Sequence, residues 1–188
     1  MTLNIHTMNN SEFNISILGF LTHEPMHGYE LHKKVADLSG FGIVWNLKIG
    51  KLYAILRKLE SEHLVKSNLA REGNRPIKHE FSITGKGKEC FNCWLSKPVL
   101  KGRDFRTIFL LKLYFSLYSG KENAKELIDA QIEICKDWQI DRKTLNIKNQ
   151  NINGNMDFEN FPTVVNSFRQ YQISSYLEWL NWCKNLSN

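Results

Sequence analysis

The sequence predicts a mainly α fold with one small β-hairpin, and three observations carry that expectation. Three segments with apolar residues at helical spacing fall within the first 63 residues. A short strand-like run, a polar turn and a stretch of two-residue alternation follow. From residue 104 onward the spacing is helical again and rich in aromatics. Three helices followed by a hairpin is the order of a winged helix-turn-helix. Residues 1–100 are therefore expected to form such a DNA-binding domain, and residues 101–188 a second, α-helical domain.

The first helix is expected around Phe13, Ile15, Ile17, Leu18 and Leu21, capped by Asn10 or Ser11 and ended by Pro25. Gly28 to Leu38 reads as the second, with Tyr29, Leu31, Val35 and Leu38 mostly inward and Ser39-Gly40 closing it. The third spans about Ile49 to His63, where Leu52, Ile55, Leu56 and Leu59 share one stripe. Val65 to Leu69 is strand-like, and residues 71–76 are a polar turn. Ile77, His79, Phe81 and Ile83 alternate with Lys78, Glu80 and Ser82 as in a half-buried strand. Thr84 can cap a fourth helix that carries Cys90, Phe91, Trp94 and Leu95 and stops near Pro98.

Asp104 to Tyr118 is apolar nearly all round, as a helix buried between others would be, and Gly120 is its expected stop. Lys121 to Gln139 is amphipathic, with Ala124, Leu127, Ile128, Ile134, Cys135 and Trp138 on one face. The run Asn146 to Asn155 reads as a loop. Asp157 or Asn160 then opens a last helix with the stripe Val165, Phe168, Tyr176, Trp179, Cys183 and Leu186.

Charge separates the halves. The net charge is +6, and residues 1–103 hold all of it, with 15 Lys/Arg against 9 Asp/Glu. That asymmetry favours a polyanionic partner for the first half. With its leucine stripe inward, the third helix would show Gly50, Ala54, Arg57, Lys58 and Ser61, flanked by Lys51 and Tyr53. Small residues let a helix approach the major groove, and basic ones meet phosphates or guanine edges. A solvated basic face is the competing explanation, and the hairpin carrying Arg71 and Arg75 weighs against it. The expected contacts to duplex DNA are Lys48, Lys51, Tyr53, Ala54, Arg57, Lys58, Arg71, Arg75 and Lys78.

Other chemistries find little support. No nucleophile–base pair, metal set or phosphate loop stands out, so neither an enzyme nor a cofactor is expected. Cys90 and Cys93 lack a second ligand pair and are better read as small apolar fillers. Trp94, Trp138, Trp179 and Trp182 could line a small-molecule effector pocket at a dimer interface, although aromatic stripes are more often core. Residues 1–10 are polar, and the most apolar segment, Ile108 to Tyr118, is 11 residues long and contains Lys112, too short for a bilayer, which points to the cytoplasm.

Met26-His27-Gly28-Tyr29-Glu30-Leu31, Gly50 to Glu60 and Ile83-Thr84-Gly85-Lys86-Gly87 together resemble the PadR family of bacterial regulators, over roughly residues 13–96. By that resemblance Tyr53 would be a third-helix tyrosine on the DNA backbone, with His27 and Tyr29 at the start of the second helix. His27 is expected to cap or pack and Tyr29 to be core. Where the family often has Ser-Pro, this chain has Lys48-Ile49, which removes a cap worth about 1 kcal/mol unless Asn46 supplies one. Phe109 to Phe115 and Tyr176 to Leu180 are similar to the virulence-activator branch, whose C-terminal helices exchange between subunits. The resemblance implies a homodimer, with residues 101–188 as its α-helical dimerisation domain and Phe109, Leu113, Val165, Phe168, Tyr176, Trp179 and Cys183 expected at its interface. A winged-helix dimer that acts through contacts with another regulator is the alternative.

Overall fold

The computed structural model describes residues 5–70, 78–147 and 160–186. Helix α1, Ile5–Leu18, passes through the expected Asn10/Ser11 cap and begins earlier, and a 3-10 turn, Gly19–Leu21, extends it. Helix α2 is Gly28–Val35. It is shorter than expected because Asp37–Gly40 form a turn, in which the Asp37 carboxylate accepts from the Ser39 N–H and hydroxyl. Leu38 falls in that turn, out of helical phase, and is 66% exposed rather than inward.

Helix α3, Ile49–Ser61, buries Leu52, Ile55, Leu56 and Leu59 as its spacing requires. Its C-terminus is a Schellman motif: Leu64 N–H reaches Leu59 O and His63 N–H reaches Glu60 O, with His63 at φ 60°. The chain then enters strand β2, Val65–Ala70, and returns as β3, Lys78–Ile83. Arg71 and Arg75, with the rest of the hairpin tip, lie outside the described residues.

One strand was not expected. Met26–His27, β1, pairs antiparallel with β3, Met26 opposite Phe81 and His27 opposite Glu80. Among the described residues the strands thus form a sheet in the order β1-β3-β2. Two residues are too few to show a period of two, so nothing in the sequence marked it.

Thr84 caps α4, Gly85–Leu95, accepting the Gly87 N–H at 3.0 Å while its hydroxyl donates to His63 O at 2.8 Å. A β-carbon at Gly87 would collide with the Leu64 carbonyl oxygen, so this tight junction of sheet and helix needs glycine there. Helix α5, Gly102–Asp104, continues through a π turn, Phe105–Phe109, into α6, Leu110–Ser119, which stops at Gly120 with φ 130°. Helix α7, Lys121–Ile147, runs beyond the expected Gln139 into the start of the Asn-rich run. Residues 148–155 of that run, and Asp157, lie outside the described residues. Asn160 precedes α8, Phe161–Leu186, and its carbonyl accepts from Thr163 and Val164.

A single apolar core runs through both halves. Phe115 of α6 packs against Phe20, Phe41 and Phe91, with ring centroids 5.2, 5.9 and 5.3 Å away. Phe105 stacks on Tyr176 at 4.0 Å, and Trp179 meets Phe105 and Phe109 edge-on.

Candidate nucleic-acid interface

Burying the leucine stripe of α3 turns Gly50, Lys51, Ala54, Arg57, Lys58 and Ser61 to solvent, and all six are exposed. The helix starts after Lys48, whose ψ of 145° is extended and whose side chain makes no capping bond, and Asn46 provides no earlier start. The N-terminal turn therefore offers uncapped backbone N–H groups between Lys48 and Lys51, where partial positive charge and two ammonium groups add. Lys58 lies 3.9 Å from Glu62, an exposed i,i+4 pair of small energetic weight.

The helix is held from behind. His32 Nε2 lies 3.0 Å from Leu47 O, tying α2 to the segment before α3. Glu60 accepts both the N–H and the hydroxyl of Ser67, tying α3 to β2. Tyr53 is half-buried, its ring beside Gly28 and 6.4 Å edge-on to Phe81. The ring and hydroxyl thus pack against the start of α2, with β3 alongside.

The remaining candidates scatter. Lys78 opens β3, and Arg71 and Arg75 lie outside the described residues. His27 is the N-cap residue of α2 without a side-chain capping bond, and its buried Nδ1 has no partner among the described residues. Tyr29 corrects its expectation: it is 72% exposed, because Gly28, Leu31 and Val35 form the inward stripe and Tyr29 lies off it.

In the second half, Phe109 is wholly enclosed and Leu113 nearly so. Val165, Tyr176, Trp179 and Cys183 are half-buried, and Phe168 is 61% exposed. Phe161, Tyr171, Trp182 and Leu186 are exposed along the same helix.

Sequence reasoning missed the side chains that grip the connection between the halves. Lys112, 2% exposed, donates to the carbonyls of Trp94 and Lys97 at the end of α4, and its ammonium sits 4.8 Å from the Trp94 ring centroid. Burial lowers its pKa to about 8, against the opposing pull of Glu12. Gln131 of α7, 0% exposed, accepts the Val99 N–H at 2.8 Å and donates to the Val99 carbonyl at 3.1 Å. Tyr176 donates to Gly102 O at 3.4 Å. A lone lysine in an apolar helix was the one visible sign of this device.

Burial pushes the Cys90 thiol pKa up, away from an activated thiolate. Among the described residues no cluster of three His, Cys, Asp or Glu side chains could hold a metal, and no helix is long and apolar enough to cross a membrane.

Residues 17–92 match the Transcriptional regulator PadR-like family. Negative transcriptional regulator PadR of Bacillus subtilis is 25% identical over 118 residues, a match spanning 63% of this chain and 64% of that relative. The crystal structure of Bacillus subtilis PadR in complex with operator DNA is similar at 23% identity and a TM-score of 0.45, over 92% of this chain and 97% of that one. A PadR-like transcriptional regulator from Bacillus cereus is similar at 25% identity and a TM-score of 0.42, over 94% and 96%. Over residues 17–92, the chain is therefore similar to the PadR-like family of transcriptional regulators.

Proposed function

We propose that this regulator binds double-stranded DNA in a sequence-specific manner as a homodimer, with α3 in the major groove and the hairpin on the backbone or minor groove. The observation that carries the reading is the solvent face of α3. Small residues at Gly50 and Ala54 permit close approach, and Lys48, Lys51, Arg57 and Lys58 surround them with positive charge. Arg71, Arg75 and Lys78 would extend that charge along the hairpin.

The dimer rests on α8. Phe168, Tyr171 and Trp182 are 61%, 77% and 57% exposed, an aromatic face that a lone protomer leaves in water. Phe109 and Leu113 would act behind it, by holding Trp179 and α8 in place, rather than by touching a partner. Residues 1–100 then serve as the reading half and 101–188 as the pairing half. Two copies would present two α3 helices to half-sites about one or two helical turns apart.

The test is binding to a fragment of the protein's own upstream region and to a scrambled duplex, at two salt concentrations. Tight, salt-sensitive binding that prefers the natural fragment is expected. Weak binding without preference, even at low salt, would remove the support for DNA recognition.

A further inference from the structure

A cleft of about 670 Å³ opens where α5 and the π turn meet α7 and α8. Its volume lies within the usual range for small-molecule sites. Four cations line it, Lys101, Arg103, Arg106 and Arg169, and none of its described lining residues is acidic. Arg103 lies 3.7 Å from Asp104, whereas Arg106 and Arg169 have no ion-pair partner among the described residues. Like charges gathered at one opening repel, and an anion between them relieves the repulsion. Guanidinium groups in particular match the planar, bidentate geometry of phosphate oxygens.

The other wall is apolar and aromatic. Trp138 faces the cleft from α7, and Ile173 and Tyr176 face it from α8. The ring of Tyr176 is pinned by its stack on Phe105, so this wall is preformed. Arg169, Gln172, Ile173 and Tyr176 follow one another at the spacing of a single helical stripe. At about 100° per residue, that stripe lies roughly 120° around α8 from exposed Phe168, Tyr171 and Trp182. The cleft is therefore separate from the exposed face of Phe168, Tyr171 and Trp182, although Tyr176, expected at the dimer interface, lines it.

We propose that this cleft binds a phosphorylated aromatic compound, its phosphate held by Arg106 and Arg169 and its planar ring laid against Trp138. Nucleotides and simple aryl phosphates share that chemistry. The inference does not depend on DNA recognition, since binding to the cleft is measured without DNA.

The experiment is calorimetric titration of the full chain, at low ionic strength and without divalent metal. The probes are ATP, 4-nitrophenyl phosphate, inorganic phosphate and adenosine. At least one ring-bearing phosphate should bind once per chain, about tenfold or more tighter than inorganic phosphate or adenosine. ATP binding alone would identify a nucleotide site, and binding of both a site for aryl phosphates in general. The Arg106→Ala/Arg169→Ala variant changes two exposed side chains and should lose that binding by about tenfold or more while keeping its circular dichroism. Trp138→Leu should weaken the ring-bearing probes and leave inorganic phosphate unchanged. The proposal is overturned if neither ring phosphate saturates at millimolar concentration or if inorganic phosphate binds as tightly. It is equally overturned if binding survives Arg106→Ala/Arg169→Ala and disappears in Lys48→Ala/Lys51→Ala, which would place the anion on α3.

Discussion

Gly28 and Tyr53 are packed so closely that a β-carbon at position 28 would lie 2.5 Å from the Tyr53 hydroxyl oxygen and 2.7 Å from Cζ. The start of α2 thus touches the second turn of α3, and the glycine sets how near they come. Gly28→Ala should cost about 1–3 kcal/mol of stability in urea denaturation, because an overpacked contact must move one helix or the ring. In a Tyr53→Ala background the same change should be nearly neutral. An equal cost in both backgrounds would show that the contact is not the cause.

His63 occupies the left-handed position that ends α3, where a side chain is strained and glycine is not. His63→Gly should raise stability by about 0.5–1 kcal/mol, and His63→Ala should give no such gain. Thermal denaturation of the two variants side by side decides the matter.

Lys112 gives a pH signature of definite sign. Its ordinary pKa is 10.5 and its folded value about 8. Below pH 8 both states carry the proton, and the cost of burying the charge is fully present. Between pH 8 and 10.5 the unfolded chain binds more protons, so this group's contribution to stability rises with pH. Lys112→Met removes the titration. The stability of the native protein relative to that variant should therefore climb across this window, by on the order of 2–3 kcal/mol. Thiols and phenols elsewhere titrate in both proteins and cancel in the difference. A gap that stays flat from pH 7.5 to 10.5 would refute the assignment.

On α3, the two kinds of contact should separate. Lys51→Ala should weaken binding to all duplexes alike and lower the salt slope by about one. Arg57→Ala should in addition change which sequence is preferred, if its side chain reads a base edge. Footprints and salt titrations identical to the parent's in both variants would remove α3 from the interface.

For the dimer, Phe168→Glu and Trp182→Glu place charge on a face already open to water in the protomer. Folding should be retained, as judged by circular dichroism, and light scattering should show the mass fall from two chains to one. A dimer that survives both substitutions must be built elsewhere.

The α3 stripe, the Thr84 cap and the Gly120 stop were legible in the sequence because each depends on residues close together in the chain. The outward turn of Tyr29 was legible in principle, since Gly28, Leu31 and Val35 set the phase of α2, but an aromatic residue drew the expectation inward. What stayed hidden depends on distant partners. Strand β1 exists only because β3 is beside it. Gln131 looked like an ordinary polar residue on α7, and only the fold brings it to Val99, 32 residues away. Arg106 and Arg169 likewise share a cleft only after α8 folds back.

The grip on the connection between the halves has a consequence for the proposed reading of DNA. Side chains from α6, α7 and α8 hold carbonyls at Trp94, Lys97, Val99 and Gly102, so the connector is braced along its length. In the proposed dimer, two braced connectors would act as a caliper with one opening. It would measure the phase between half-sites, and each added base pair at the operator centre would rotate one half-site by roughly 34–36° away from its reader.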